Sequence, residues 1–201
     1  MASAPPPALA SEPAAGQTAL LIIDMISVWD FPDADKLLPG AHAIARPIAA
    51  LKTRCSRAGV PTIYVNDNRG RWRSDLRRLV DMSLEAGGAG AEITSALLPA
   101  ESDYFVLKPK QSAFFATPLE LLLSYLKVRR LIVTGVASDQ CIWATAADAG
   151  MRDFETVVPR DCVATQSRER NERFLRQCAD ALCVPTTPGP RIRLPAARRA
   201  R

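Results

Sequence analysis

The chain has 201 residues, 48% of them hydrophobic and 23% charged, with a formal net charge of +5. That length suits one domain with a sizeable core, and the composition is that of a globular protein. No stretch approaches the roughly 18 uninterrupted apolar residues that a membrane span needs, so no membrane partner is expected.

Along the chain, the opening MASAPPPALASEPAAGQ has neither a basic nor an apolar signal region, and residues 1–17 read as a flexible Ala/Pro-rich leader. ALLIID (19–24) predicts a first strand, residues 40–58 a helix, and VPTIYVND (60–67) a second strand entered through Gly59. A helix over 72–86 follows, then GGAG, in which Gly87, Gly88 and Gly90 are expected to form a local loop without the strand context of a phosphate fingerprint. DYFVLK (103–108) is the third strand, 117–127 a helix, RRLIVTG (129–135) the fourth strand and 139–150 a helix. FETVVP (154–159), a helix over 166–180 and a short strand at ALCVP (181–185) complete the domain, assigned to 18–184. Residues 185–201 form a Pro/Arg-rich tail. Its Arg191, Arg193, Arg198, Arg199 and Arg201 account for the whole positive excess, so no nucleic-acid site is expected in the body.

The strands are continuously apolar rather than alternating, which is the mark of strands covered on both faces. Strand–helix alternation then predicts an α/β fold, a three-layer αβα sandwich around a mostly parallel, Rossmann-like sheet of six strands. Five cysteines (Cys55, Cys141, Cys162, Cys178, Cys183) include no CxxC pair, which argues against a disulfide framework and for a reducing, cytoplasmic setting. The single histidine, His42, is expected half-exposed on an early helix and cannot supply a His-rich metal site.

In such sheets, ligands gather beyond the C-terminal strand ends. There the sequence places Asp24 after the first strand, and Asn66, Asp67 and Asn68, followed by Arg69, Arg71 and Trp72, after the second. Lys108 ends the third strand, held extended by Pro109, and Ser138 and Cys141 follow the fourth. A carboxylate, an ammonium and a thiol thus leave one edge. Each has a plain alternative: Asp24 as a turn residue, Lys108 as a solvated surface lysine, Cys141 as a small core residue. Brought together, they form a nucleophilic site. With Ser138 as N-cap, Cys141 would occupy the third helical position, where free N–H groups and the helix dipole favour a thiolate. Lys108 would add positive charge, and Asp24 would shuttle the proton. A thiol so activated should be alkylated ahead of the other four, which read as packing residues.

ALLIIDMISVW, FVLKPKQSAFFATPLELLL and LIVTGVASDQCIWATAADAGMRDFETVVPRDCVA together resemble the isochorismatase-like cysteine hydrolases, which include nicotinamidases and N-carbamoylsarcosine amidohydrolases. The resemblance covers about residues 18–184. It implies an Asp-Lys-Cys triad at Asp24, Lys108 and Cys141 and a cis peptide between Val136 and Ala137. It also implies an oxyanion hole from the Ala137 and Cys141 N–H groups, and a homo-oligomer, dimer or tetramer. The metal set of nicotinamidases falls on NDNRGRW, which lacks histidine, so neither metal nor cofactor is expected. Isochorismatases proper cleave a vinyl ether without the cysteine, which this chain retains. The resemblance therefore favours hydrolysis of a small amide or ureide. The alternatives are vinyl ether hydrolysis, or a catalytically idle member serving as a binding or scaffold subunit. Trp29, Asn66, Arg71, Trp72, Gln111, Phe114, Phe115 and Trp143 are the candidates for the substrate pocket.

Overall fold

Five parallel strands run side by side in the order β3-β2-β1-β4-β5. A computed structural model describes residues 18–67 and 75–195. In chain order these are β1 (Thr18–Ile23), α1 (Ala34–Arg57), β2 (Thr62–Asp67), α2 (Leu76–Ala86), α3 (Gly88–Ala96), β3 (Tyr104–Lys108), α4 (Leu119–Tyr125) and β4 (Arg130–Gly135). A π-helical turn (Ser138–Ile142) then leads into α5 (Trp143–Gly150), β5 (Glu155–Val157) and α6 (Arg168–Asp180).

Strand residues alternate between two separate cores. Leu20, Ile22, Tyr64 and Ile132 face α1, α2 and α3. Ala19, Leu21, Ile23, Val65 and Val133 face α4, α5 and α6. Both faces are covered, so both sets of positions must be apolar. The chain moves from β1 out to β3 under one layer of helices, then crosses to β4 on the other side of β1 under the opposite layer. Right-handed crossovers require that exchange of faces when the direction reverses, and the reversal leaves a crevice beside the C-terminal end of β1.

Three expectations need correction. The sixth strand does not form. Val158 N–H donates to Pro185 O at 3.0 Å, but Cys183 has φ 52° and Pro185 has no N–H, so a ladder cannot propagate. The glycine segment is a helix, not a loop. Gly87, at φ 71°, turns the chain between α2 and α3, and Gly90 lies inside α3, where a Cβ would sit 2.6 Å from Trp29 Cδ1. Glycine there makes room for an indole. Finally, α1 begins at Ala34 rather than at residue 40 and runs through Pro39 and Pro47. Each proline removes a helical donor, but the stripe Leu37, Ala41, Ile44, Ala45, Ile48 and Leu51 is buried along its length and holds it.

Candidate active site

The C-terminal ends of β1, β3 and β4 each deliver one polar side chain to the crevice. Asp24 directly follows β1 in the left-handed region, φ 53°. Its N–H still donates to Val65 O at 2.9 Å, and its Oδ1 accepts the Asp67 N–H at 2.8 Å. The carboxylate is therefore tied to β2 through both its backbone and its side chain. Its other oxygen, Oδ2, lies 2.8 Å from Lys108 Nζ. Lys108 ends β3 with its side chain only 1% exposed. A buried ammonium needs a partner and hydrogen bonds. Lys108 also reaches Cys141 Sγ, at 3.5 Å.

Cys141 comes to this point by an unusual path. β4 ends at Gly135, whose φ of 114° lets it pass so near β1 that a Cβ would stand 2.1 Å from Ile23 O. The Val136–Ala137 peptide is cis. Val136 N–H donates to Ile23 O and Ser138 N–H to Ala164 O, whereas the Ala137 N–H between them finds no acceptor among the described residues. The turn that follows is π-helical, closed by Ile142 N–H to Ala137 O at 3.2 Å. Ser138 is not the expected N-cap: Ala137 holds that place, and the Ser138 hydroxyl is buried without a partner among the described residues.

The electrostatics differ from the expectation of a preformed thiolate. Burial pushes the Cys141 thiol up to about 12, the Asp24 charge and the S–H hydrogen bond to it add to that, and Lys108 only partly opposes them. For Lys108, burial acts to lower the pKa, but Asp24, Cys141 and Asp67 outweigh it and the ammonium is raised. The resting site is an ion pair of Asp24 and Lys108 beside a protonated thiol.

Residues 18–188 match the model of the isochorismatase domain. The chain belongs to the isochorismatase family. It is 36% identical over 169 residues to the isochorismatase family protein YaaI of Bacillus subtilis, covering 84% of this chain and 92% of that one. It is 28% identical over 157 residues to the N-carbamoylsarcosine amidase of an Arthrobacter species, covering 72% of this chain and 58% of the other. The crystal structure of a cysteine hydrolase from Pseudomonas syringae superposes with a TM-score of 0.71 at 22% identity, covering 92% and 94% of the two chains.

Within this isochorismatase-family domain, the remaining candidates scatter. Arg71 and Trp72 lie outside the described residues. Asn66 is buried and donates to Ile26 O at 2.7 Å, its Oδ1 without a partner among the described residues, so it fastens the segment after β1. Trp29 packs over Gly90 and pairs with Phe31 at 5.9 Å. Phe114 is buried under Arg152 and against Phe154, and Trp143 meets Phe174 edge-on at 6.4 Å. These rings pack against other elements of the fold. Among the described candidates, only Gln111 and Phe115 are exposed, on the segment after Lys108. His42 is half-exposed on α1, paired with Glu92 at 2.7 Å. Cys55, Cys162 and Cys178 are buried as expected of packing residues, but Cys183 is exposed. A cavity of about 680 Å³ opens at the opposite edge of the sheet, lined by Thr18, Arg130, Glu155 and Leu194. It is remote from the strand ends that carry the three polar groups.

The sequence did not single out Asp139 and its partners. Asp139, two residues before Cys141, accepts Thr165 Oγ1 at 2.6 Å and Arg170 Nε at 2.8 Å. An acid inside a turn that carries a thiol was the one available signal; its partners come from a distant helix.

Proposed function

We propose that this protein is a cysteine hydrolase that cleaves the C–N bond of a small amide or ureide through a thioester. The observation that carries this is the convergence of Asp24, Lys108 and Cys141, with the buried ammonium 2.8 Å from the carboxylate and 3.5 Å from the sulfur. A small carbonyl compound entering the crevice meets the thiol. As Sγ attacks the carbonyl carbon, the thiol proton passes to the Asp24 carboxylate, whose charge acts on the thiol. Lys108 stays cationic and offsets the negative charge that moves onto sulfur and substrate. The developing oxyanion takes the unpartnered Ala137 N–H and the Cys141 N–H, each such donor being worth about 3–4 kcal/mol in acyl transfer. Collapse of the tetrahedral species breaks the C–N bond, and Asp24 returns its proton to the departing nitrogen. Water then attacks the thioester, gives a proton to Asp24, and expels the Cys141 sulfur, which recovers that proton.

The similarity to an N-carbamoylsarcosine amidase supports the amide or ureide class. Five unpaired cysteines fit a reducing, cytoplasmic setting, and a homo-oligomer is the assembly that goes with this family. The test is ammonia release from a panel of primary amides and ureides by the wild type and by Cys141→Ala. Release by the wild type and its loss in the variant are expected. Equal release by both would overturn the thioester step and leave C–N cleavage that does not use Cys141; no release by either would overturn the proposed reaction and leave the vinyl ether alternative.

A further inference from the structure

A π-helical element is rare and usually a single turn, so it closes on few hydrogen bonds of its own, here Ile142 N–H to Ala137 O at 3.2 Å. The turn that carries Cys141 also has no side-chain cap of its own. Yet the sulfur must stay at the limit of hydrogen-bonding reach from Lys108, 3.5 Å. Something outside the turn has to fix it.

That something is the segment before α6 and the first turns of that helix. Cys162 O accepts from Gly135 at 2.9 Å and Ala164 O from Ser138 at 2.8 Å, so residues 162–164 run alongside the exit of β4. Asn171 Nδ2 holds the same segment through Val163 O at 3.3 Å. The Asp139 carboxylate then closes the contact. One oxygen accepts Thr165 Oγ1 at 2.6 Å; the other accepts Arg170 Nε at 2.8 Å and Nη2 at 2.5 Å. Arg170 is itself placed by the Ser167 cap on its own N–H, at 3.2 Å. An exposed ion pair contributes little, but a two-pronged guanidinium–carboxylate contact fixes geometry as well as charge.

We infer that Asp139, Arg170 and Thr165 form a positioning clamp that holds the Cys141 turn against the Asp24–Lys108 pair, an inference that rests on Cys141 being the nucleophile. None of the three is a catalytic residue; they act through the turn. Released from the clamp, the turn drifts, and the thiol leaves a place where Asp24 and Lys108 face it and burial keeps it protonated. Its reactivity then becomes that of an ordinary solvent-exposed thiol.

The experiment measures iodoacetamide modification of Cys141 and of exposed Cys183, peptide by peptide, from pH 7 to 10. It compares the wild type with Arg170→Ala, Arg170→Lys and Thr165→Val. In Arg170→Ala the rate at Cys141 should rise at least about ten-fold relative to Cys183 at pH 8, the equivalent of one pKa unit, and level off within the range. Arg170→Lys, which keeps the charge and one hydrogen bond, should return part of the way. Unchanged Cys141 kinetics in a folded Arg170→Ala protein would overturn the clamp. Should that variant not fold, Thr165→Val, nearly isosteric and lacking one hydrogen bond, decides by the same readout at smaller amplitude. No substrate enters the measurement, so a panel in which every amide fails sinks the proposed reaction without touching this result.

Discussion

Lys108 Nζ and Asp24 Oδ2 lie 2.8 Å apart, with the lysine side chain 1% and the aspartate 18% exposed. Removing one partner leaves a buried charge alone, which costs about 3–5 kcal/mol, whereas replacing both with apolar groups is often near neutral. Asp24→Ala should therefore be much less stable to urea than the double variant Asp24→Ala/Lys108→Met. Equal losses in the single and double variants would show that the pair is not energetically coupled.

Cys141 should be a slow thiol in the free protein. Burial and the neighbouring Asp24 charge hold its proton, with the thiol at about 12, so at neutral pH iodoacetamide should modify exposed Cys183 first. This reverses the order expected from a helix start and a nearby lysine. Faster modification of Cys141 would mean that the Lys108 charge outweighs burial.

Stability should fall on the alkaline side. Burial raises the thiols of Cys55 and Cys178 to about 12, and raises that of Cys162 as well. A thiol raised in the fold keeps its proton where the unfolded chain has lost it. The unfolded state then binds fewer protons, and stability declines from a thiol's ordinary value, about 8.5, up to the folded one. The raised Lys108 ammonium acts in the same sense: its contribution is whole below the unfolded value and is lost as pH rises through the folded one. Each thiol contributes a slope of about 1.4 kcal/mol per pH unit in that window. Melting temperatures between pH 8 and 10.5 should drop steadily, and less steeply in Cys178→Ala. A flat profile would contradict the burial of these groups.

Gly135→Ala should damage the site through the backbone. The added Cβ would lie 2.1 Å from Ile23 O, at a φ of 114°, which a side chain occupies only at a cost of about 1–3 kcal/mol before the clash is counted. Relief requires β4 to move away from β1, and so Cys141 from Asp24. Lower thermal stability together with altered Cys141 alkylation is expected; native values of both would mean that the strand ends can separate freely.

Most of the scaffold could be read from the residues because it depends on burial alone. ALLIID and RRLIVTG are apolar throughout, and only a strand covered on both faces needs that. Asp24, Lys108 and Cys141 could be found because strand ends are visible as the points where such runs stop. What escaped depends on partners distant in sequence. Gly90 reads as a loop residue until Trp29 is seen lying on it. Asp139 reads as surface charge until α6 brings Arg170 to it. ALCVP has strand composition, but Cys183 and Pro185 set backbone limits that composition hides. The protonated thiol escaped for the same reason: a helix start and a lysine were legible, while the depth of burial that overrides them belongs to the folded chain.

The proposed chemistry is tested most directly by intact-mass measurement of the protein quenched during turnover of whichever amide in the panel releases ammonia. An acyl adduct is expected, equal in mass to the substrate less its leaving amine and mapping to the Cys141 peptide, and it should be absent from Cys141→Ala. Turnover that continues undiminished in Cys141→Ala, with no adduct on the wild-type protein, would contradict a thioester mechanism.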